Sequence, residues 1–265
     1  MEKKKSKTLF FIFTLVFFYQ LNATVVILNG LTHIHNTEKG SVLKGEIIMQ
    51  NNSKVSDELV KIYLTDLKQD CAGSTYGILD DNARSIAKWV TFSTNEKVLV
   101  PNEKYTLFYT IEIPEDIDYG SFWGVIMVEI SKPISESYES GIKINSKIRY
   151  GVQIVANIGE RINPEIQFVD VSIVKKNKLE YKVDVQLKNK GVYLVQPALI
   201  LELFNDLGES VKKVQSVFKK VYPKNCKSFQ IPISGLPPGE YDGVLVADYG
   251  GDIYGINVSL NLTKD

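Results

Sequence analysis

Side chains that could support catalysis are few in this chain. The two histidines, His33 and His35, are two positions apart, so on a strand they would share one face and could hold a metal ion only with further ligands. The neighbouring sequence indicates no third ligand, no Gly-x-Ser-x-Gly motif is present, and the paired carboxylates Asp80-Asp81 and Glu115-Asp116 lie in predicted turns. We therefore expect no metal, no cofactor and no enzymatic activity.

Cys71 and Cys226 are the only cysteines. Disulfides are typical of oxidising compartments, and a bridge needs Cα atoms about 4.4–6.8 Å apart. The sequence does not fix that distance. A disulfide and two free thiols therefore remain alternatives at this point.

The N-terminal segment indicates an oxidising compartment. Four lysines within the first seven residues precede an uncharged, mostly apolar run from Thr8 to Leu21, and Ala23 supplies a small residue, which is the layout of a secretory signal peptide. We predict that residues 1–23 are removed and that the protein is secreted, periplasmic or at the cell surface. A retained anchor is the alternative, although the run is shorter than the ~20 residues of a transmembrane helix.

Composition excludes two further classes of protein. The 265 residues include 31 basic and 31 acidic side chains, and 44% are hydrophobic. Loss of residues 1–23 removes four Lys and one Glu, so 27 basic and 30 acidic residues remain and the net charge becomes −3. A nucleic-acid-binding protein is usually strongly basic, and a disordered chain lacks the apolar residues for a core.

The recurring pattern is typical of an all-β protein. Short runs rich in Val, Ile, Tyr, Phe and Thr are separated by Gly, Pro, Asn and Asp. Residues 66–85 are the least regular, and we predict a loop there. The predicted strands cover residues 24–28, 42–50, 60–64, 87–92, 104–113, 122–130, 166–174, 179–187, 198–204, 227–233, 241–248 and 253–262.

A repeated sequence motif indicates two domains. The pattern Gly-x-aromatic-x-Gly-Val occurs at residues 120–125 and again at 239–244, each time after a strand that ends in Ile-Pro. The separation is about that of one immunoglobulin-like sandwich of ~100 residues. We predict one domain at residues 24–158 and a second at 159–265.

These motifs resemble a known group of proteins. The segment 89–156 contains the strand that ends at Ile113-Pro114, the following Gly120 strand, and a last strand with the sequence IRYGVQIV at 148–155. It is similar to the immunoglobulin-like amino-terminal domain of periplasmic pilus-assembly chaperones and to the peptidoglycan-binding domain of WxL-interacting surface proteins. The second domain resembles the immunoglobulin- or fibronectin-like domain that follows in such proteins.

The resemblance to pilus chaperones implies a protein partner. In that family the last strand of the first domain offers alternating apolar side chains to an incomplete subunit by β-strand addition. Residues 142–156 alternate between apolar and polar almost strictly. For so long a strand we expect either a division by a bulge at Gly151 or a part that extends past the sheet. An ordinary half-buried final strand is the alternative. The predicted binding residues are Ile142, Ile144, Ile148, Arg149 and Tyr150.

The same family also binds the C-terminal carboxylate of its client. An Arg on the first strand and a Lys on the last strand form the anchor. Here no Arg occurs between Thr24 and Arg84, so Lys39 or Lys44 would take the first role. The resemblance assigns the second role to one basic residue among Lys143, Lys147 and Arg149.

Aromatic side chains suggest a second candidate surface. Trp89, Tyr119, Phe122 and Trp123 could stack on a glycan, with one of the neighbours Phe122 and Trp123 facing outward on a regular strand. The alternative is that they belong to the core. We therefore predict a non-enzymatic, extracytoplasmic binding protein, chaperone-like or engaged in surface interactions through sheet edges, with a cell-wall peptidoglycan- or glycan-binding protein as the alternative.

Overall fold

The computed structural model describes residues 24–77, 82–131, 136–139, 142–145, 147–161, 164–177, 180–249 and 253–262. The predicted signal peptide, residues 1–23, lies outside this part of the chain. The described residues form nineteen β-strands and no helix, so the predicted all-β class is confirmed. It follows that none of these residues belongs to a helix long and apolar enough to cross a membrane.

Twelve strands, β1 to β12, precede residue 159. β1, β3, β8 and β6 form one antiparallel sheet, and β2, β12, β9, β4 and β5 form a second sheet, with β7 also paired to β4. β10 and β11 form a separate hairpin. The bounds are β1 (Val25–Ile27), β2 (Thr32–Thr37), β3 (Val42–Asn51), β4 (Glu58–Gln69), β5 (Ser74–Gly77), β6 (Val90–Phe92), β7 (Glu96–Leu99), β8 (Lys104–Glu112), β9 (Gly120–Ile130), β10 (Glu136–Glu139), β11 (Ile142–Asn145) and β12 (Arg149–Ile158).

The first core lies between these two sheets. Inward side chains alternate along β8, where Leu107, Tyr109 and Ile111 are buried, as expected for a strand with one face in a core. Along β9 every residue is buried. Both faces of β9 are therefore covered, one by this core and the other by Leu67 and Val155 of the same sandwich together with Leu194 and Tyr222, which follow Ile158.

Seven strands, β13 to β19, form the second part of the fold. β13, β14 and β17 make one sheet, and β16, β15, β18 and β19 make the other. Their buried residues form a cluster that shares no member with the first core. The bounds are β13 (Ile166–Asn177), β14 (Glu180–Asn189), β15 (Ala198–Phe204), β16 (Ser210–Gln215), β17 (Cys226–Pro232), β18 (Gly239–Asp248) and β19 (Ile253–Leu262).

The repeated motif marks the same step in both sandwiches. In each copy the chain leaves one sheet and enters the opposite one, from β8 to β9 and from β17 to β18. The aromatic residue of the motif, Phe122 or Tyr241, is then buried in the core of its own sandwich. The division after residue 158 remains our proposal for the domain boundary.

Contacts between the two sandwiches include a pair of aromatic rings, an amide side chain and a disulfide. The Trp123 ring packs on Tyr222 with centroids 4.6 Å apart. The Gln69 side chain accepts a hydrogen bond from the Tyr222 N–H and donates one to the Lys220 carbonyl, both at 3.0 Å. Cys71, in the turn between β4 and β5, is disulfide-bonded to Cys226 at the start of β17, with Cα atoms 4.6 Å apart.

The predicted loop at residues 66–85 is wrong in part. β4 continues to Gln69, and Asp66 to Gln69 pair with β5, so the segment contains a hairpin. Its strand β5 is only four residues long and has exposed or half-buried side chains. A strand of this kind has no apolar alternation from which it could be recognised.

Candidate partner-binding edge

β12 has an unequal number of neighbours along its length. On one side it pairs antiparallel with β9 from Arg149 to Ile158. On the other side it pairs with β2 in parallel, only from Gln153 to Ile158. Within the described part of the chain, Arg149–Val152 therefore present an open edge.

Backbone groups on this edge point outward in a defined alternation. The Gln153 N–H donates to the Leu31 carbonyl, 2.9 Å away, on the β2 side. The Ile148 carbonyl accepts from the Ile130 N–H, 3.0 Å away, on the β9 side. Since successive residues of a strand direct their N–H and C=O groups to opposite sides, those of Arg149 and Gly151 face the open edge.

The predicted run at 142–156 contributes to two separate strands. Ile142 and Ile144 belong to β11, which pairs with β10, whereas Ile148 directly precedes β12 and Arg149 and Tyr150 begin it. Part of the run therefore leaves the sheet of β12, which is one of the two predicted alternatives. The other alternative, a bulge at Gly151, is wrong, because β12 pairs with β9 in one continuous register from Arg149 to Ile158.

Two of the five predicted binding residues partly enter the first core. Ile148 and Tyr150 are half-buried and pack against the core cluster. The Tyr150 hydroxyl donates to the Val25 carbonyl over 2.7 Å, and burial raises the pKa of this phenol. These two side chains thus close the gap between β1 in one sheet and the open edge in the other.

The basic residues beside the edge already have a partner. Glu129 on β9 accepts from Lys147 at 3.0 Å and from Arg149 at 2.8 Å, and the Tyr63 hydroxyl donates to it at 3.1 Å. Burial by itself would raise the pKa of Glu129, but the hydrogen bonds from Lys147 and Tyr63 and the charge of Arg149 lower it overall. Lys147 and Arg149 are therefore not free cations.

The other lysines considered as carboxylate anchors lie elsewhere. Lys39 lies over the Tyr119 ring, 4.3 Å from its centroid. Lys44 is exposed on β3, in the sheet opposite β12. The side chain of Lys143 lies outside the described residues. The pair implied by the resemblance is not assembled by the side chains that the structure describes.

A cation that was not predicted lies where the open edge meets β2. The Lys220 ammonium donates to Gln153 Oε1 at 2.7 Å and to the Thr32 hydroxyl, and Tyr222 donates to the same Gln153 oxygen at 2.9 Å. Burial lowers the pKa of Lys220. In the described part of the chain its acceptors are neutral oxygens. No local sequence pattern indicates this role, because Lys220 reaches β12 from the opposite sandwich.

The four candidate stacking aromatics do not share a surface. Phe122 and Trp123 are 3% and 2% exposed and lie on opposite faces of β9. Trp89 is half-buried against Phe122, with ring centroids 5.1 Å apart, and Tyr119 alone is exposed. The expectation that Phe122 or Trp123 faces solvent is corrected, because Phe122 enters the first core and Tyr222 of the second sandwich covers Trp123.

Both histidines contact one buried phenol. His33 Nδ1 lies 3.0 Å and His35 Nε2 lies 2.9 Å from the hydroxyl oxygen of Tyr109 on β8. Burial and then the charge of His33 lower the pKa of His35, and burial raises the pKa of Tyr109. Among the described residues no cluster of three or more His, Cys, Asp or Glu side chains could hold a metal ion.

A shallow recess of about 360 Å³ lies next to the open edge. It is formed on the outer face of the second sheet by Tyr63, Tyr76, Met127, Arg149 and Gly151, together with Thr65. Tyr76 extends from β5 over Gly151, where a Cβ atom would lie 2.9 Å from the Tyr76 hydroxyl oxygen. The absence of a side chain at Gly151 therefore leaves room for the Tyr76 side chain to reach β12.

Comparisons with known proteins found similarity to solved structures. No family model and no curated protein sequence matches it. A chain from a chaperone–tip adhesin complex of fimbriae biogenesis covers 92% of this chain and 100% of its own length, at 13% identity and a TM-score of 0.46. A chain from the Salmonella enterica pilin–chaperone complex SafA–SafB covers 89% of this chain and 96% of its own length, at 11% identity and a TM-score of 0.42. A Pseudomonas aeruginosa chaperone covers 86% of this chain and 97% of its own length, at 14% identity and a TM-score of 0.42. At these values the likeness does not extend to function, for which the geometry of β12 is the relevant observation.

Proposed function

We propose that this protein is a non-enzymatic, extracytoplasmic binding protein of the chaperone-like kind, and that it binds an extended segment of a partner protein along the open edge of β12. The observation that carries the proposal is the unequal pairing of β12, ten residues with β9 and six with β2. The outward backbone groups of Arg149 and Gly151 provide the hydrogen bonds that an added strand needs.

The side chains beside the edge define the chemistry of the partner. Ile148 and Tyr150 are half-buried at the margin of the core, so apolar side chains on one face of an added strand would extend that core. On the other face the added strand would meet Tyr76 and the Arg149 guanidinium. A segment with apolar residues at alternate positions fits this edge.

Lys220 supplies a charge at one end of the edge. A strand added along Arg149–Val152 and continued toward Gln153 meets β2 and the Lys220 ammonium. A carboxylate at that end of the partner would compensate a cation that now has neutral acceptors. The resemblance to pilus chaperones implies such an anchor, and Lys220 would supply it in place of Lys39 or Lys44.

The compartment forms part of the proposal. The Cys71–Cys226 bridge is the kind of bond that persists outside the cytoplasm. We expect the mature protein to begin at Thr24, and intact-mass measurement of the protein from its own cells tests this. A mass that includes residues 1–23 would contradict it.

A proline at the edge tests the binding mode. The N–H of Gly151 faces the open side, so Gly151→Pro removes no hydrogen bond to β9, and the ring occupies the space of an added strand. Gly151→Ala is the matched control, because it brings the same Cβ toward Tyr76 without blocking the edge.

We expect the two variants to separate in a capture experiment. Tagged mature chains are expressed in cells of the protein's own source, and the partners recovered with wild type, Gly151→Ala and Gly151→Pro are quantified. Gly151→Ala should retain the partner, and Gly151→Pro should recover at least about tenfold less of it while keeping the same circular dichroism spectrum. Equal recovery with both variants would refute binding at this edge.

A further inference from the structure

β2 is attached to the first sandwich without an apolar anchor. None of its six residues belongs to the core cluster or is a buried apolar side chain, and its largest apolar residue, Ile34, is 48% exposed. Its inward positions are occupied by His33 and His35. Beside them in the sheet, their paired residues on β12 are the fully buried Ile154 and Ala156.

The remaining contacts of β2 are polar. Besides the ladder to β12, Asn36 accepts from Asn157 at 2.9 Å, Thr37 bonds Ser41, and Lys220 bonds Thr32. One polar atom is left unsatisfied, since His33 Nε2 is buried and has no partner. A strand held by such contacts opens at a lower cost than a strand whose side chains fill a core.

We propose that β2 is a displaceable strand, released when the His33–Tyr109–His35 cluster is protonated, and that its release lengthens the open edge of β12 from Arg149–Val152 to Arg149–Ile158. The proposal rests on the proposed function insofar as the longer edge serves a partner. The occupant of the vacated position is then a second extended, apolar-alternating segment of the same partner, because the end bound at Lys220 does not continue past Gln153.

The cluster can satisfy its hydrogen bonds only while an imidazole accepts. The Tyr109 hydroxyl has one proton to donate, so one histidine accepts it and the other donates an N–H to the phenol oxygen. When both rings are protonated neither can accept, and the phenol proton loses its acceptor. The two ring nitrogens, 3.0 and 2.9 Å from one oxygen, are at most 5.9 Å apart, so two positive charges would also repel each other.

The surroundings offer little to offset this repulsion. The side facing β12 is apolar, formed by Ile154 and Ala156. From β8 the cluster meets Tyr109, and the carboxylate that acts on Tyr109 is that of Glu46, an exposed residue on β3. The charge that acts on His35 is that of His33.

The direction of the pH effect follows from these contacts. Burial and the neighbouring His33 lower the pKa of His35 in the closed strand from its ordinary value of 6.5. In the released strand, the pKa of His35 returns to that ordinary value. As the pH falls, His35 therefore binds a proton in the released strand at a higher pH than in the closed strand. Release is therefore favoured as the pH falls below about 6.5 and levels off below the lowered pKa of the closed state.

Amide hydrogen exchange of the mature chain without a partner tests the inference. Protection factors of Gln153–Ile158 and of β2 are compared at pH 7.5 and pH 5.0, with β3 and β8 in the opposite sheet as internal reference. We expect protection at both β12 and β2 to fall by about tenfold, since one group with an open-state pKa of 6.5 can contribute up to about thirtyfold at pH 5.0. The reference strands should keep theirs.

Substitution of the histidines supplies the control. His33→Asn and His35→Gln place an amide near the nitrogen that each imidazole uses and do not titrate. Since these are the only two histidines in the chain, the double variant should lose the pH effect, and His35→Gln alone should reduce it. Unchanged protection in the wild type, an equal loss in the reference strands, or the same loss in these variants would overturn the proposal. Because no partner is present, failure here leaves the Gly151→Pro experiment unaffected.

Discussion

The bridge between Cys71 and Cys226 allows a quantitative prediction. It joins the β4–β5 turn to β17 and closes a segment of 155 residues. In the chain-entropy description a cross-link restricts the unfolded state, and for a loop of this length the restriction amounts to about 5 kcal/mol at 25 °C. We expect the Cys71→Ser/Cys226→Ser variant to lose about 3–5 kcal/mol of unfolding free energy.

Urea unfolding measures this loss. Circular dichroism follows all strands, and fluorescence follows the only two tryptophans, Trp89 in the first sandwich and Trp123 at the junction. Ser74→Ala is the matched control, because it removes the neighbouring exposed hydrogen bond from Lys227, 3.1 Å long, and keeps the bridge. This control should change the unfolding free energy by less than about 0.5 kcal/mol.

A loss below about 1 kcal/mol would mean that the bridge does not restrict the unfolded chain as the loop length requires. A thiol reagent adds an independent measurement. The mature wild type, unfolded without reductant, should show no reactive thiol, because its two cysteines are paired.

Two further predictions concern buried rings. Trp123→Ala should lower the free energy of unfolding by about 3–5 kcal/mol, because it removes a 2%-exposed ring that packs on Tyr222. Trp123→Phe should lower it less, because phenylalanine keeps most of the contact. Equal effects of the two variants in urea unfolding would contradict this prediction. Gly45→Ala would place a Cβ atom 2.2 Å from the ring of Tyr109, and this buried ring has little room to move away. We therefore expect the free energy of unfolding to fall by more than about 2 kcal/mol in the same measurement. Gly73→Ala is the control and should be nearly neutral, because nothing lies within 4 Å of its added Cβ atom.

Strands with apolar alternation could be predicted from the sequence, and β2 could not. β3, β8 and β18 follow the predicted ranges closely because every second residue enters a core. The inward residues of β2 are histidines, so its alternation carries no hydrophobic signal. Its pairing with β12 depends on a parallel contact between residues more than a hundred positions apart.

The alternation of apolar and polar residues does not predict how the strands of the site are paired. Apolar and polar residues alternate throughout 142–156, although β11 and β12 pair with different strands. Such alternation indicates that a segment is a strand but does not indicate which strand it pairs with. For β9 the unbroken apolar run at 122–128 is typical of a strand that is buried on both faces, as the structure shows for Trp123. The position of Lys220 depends on how the sandwiches meet, which local sequence does not encode.

The contact made by Gln69 has a consequence for how this protein can diverge. One amide side chain from the first sandwich bonds main-chain groups of Lys220 and Tyr222, so any residue with a backbone N–H and C=O can stand opposite it. Residue 220, and with it the charge that we propose to face a partner, could therefore change while these main-chain bonds are kept. A change at Gln69 would remove both bonds and leave the disulfide and the Trp123–Tyr222 contact to join the two sandwiches. The residue proposed to bind the partner and the side chain that bonds the junction can thus change independently of each other.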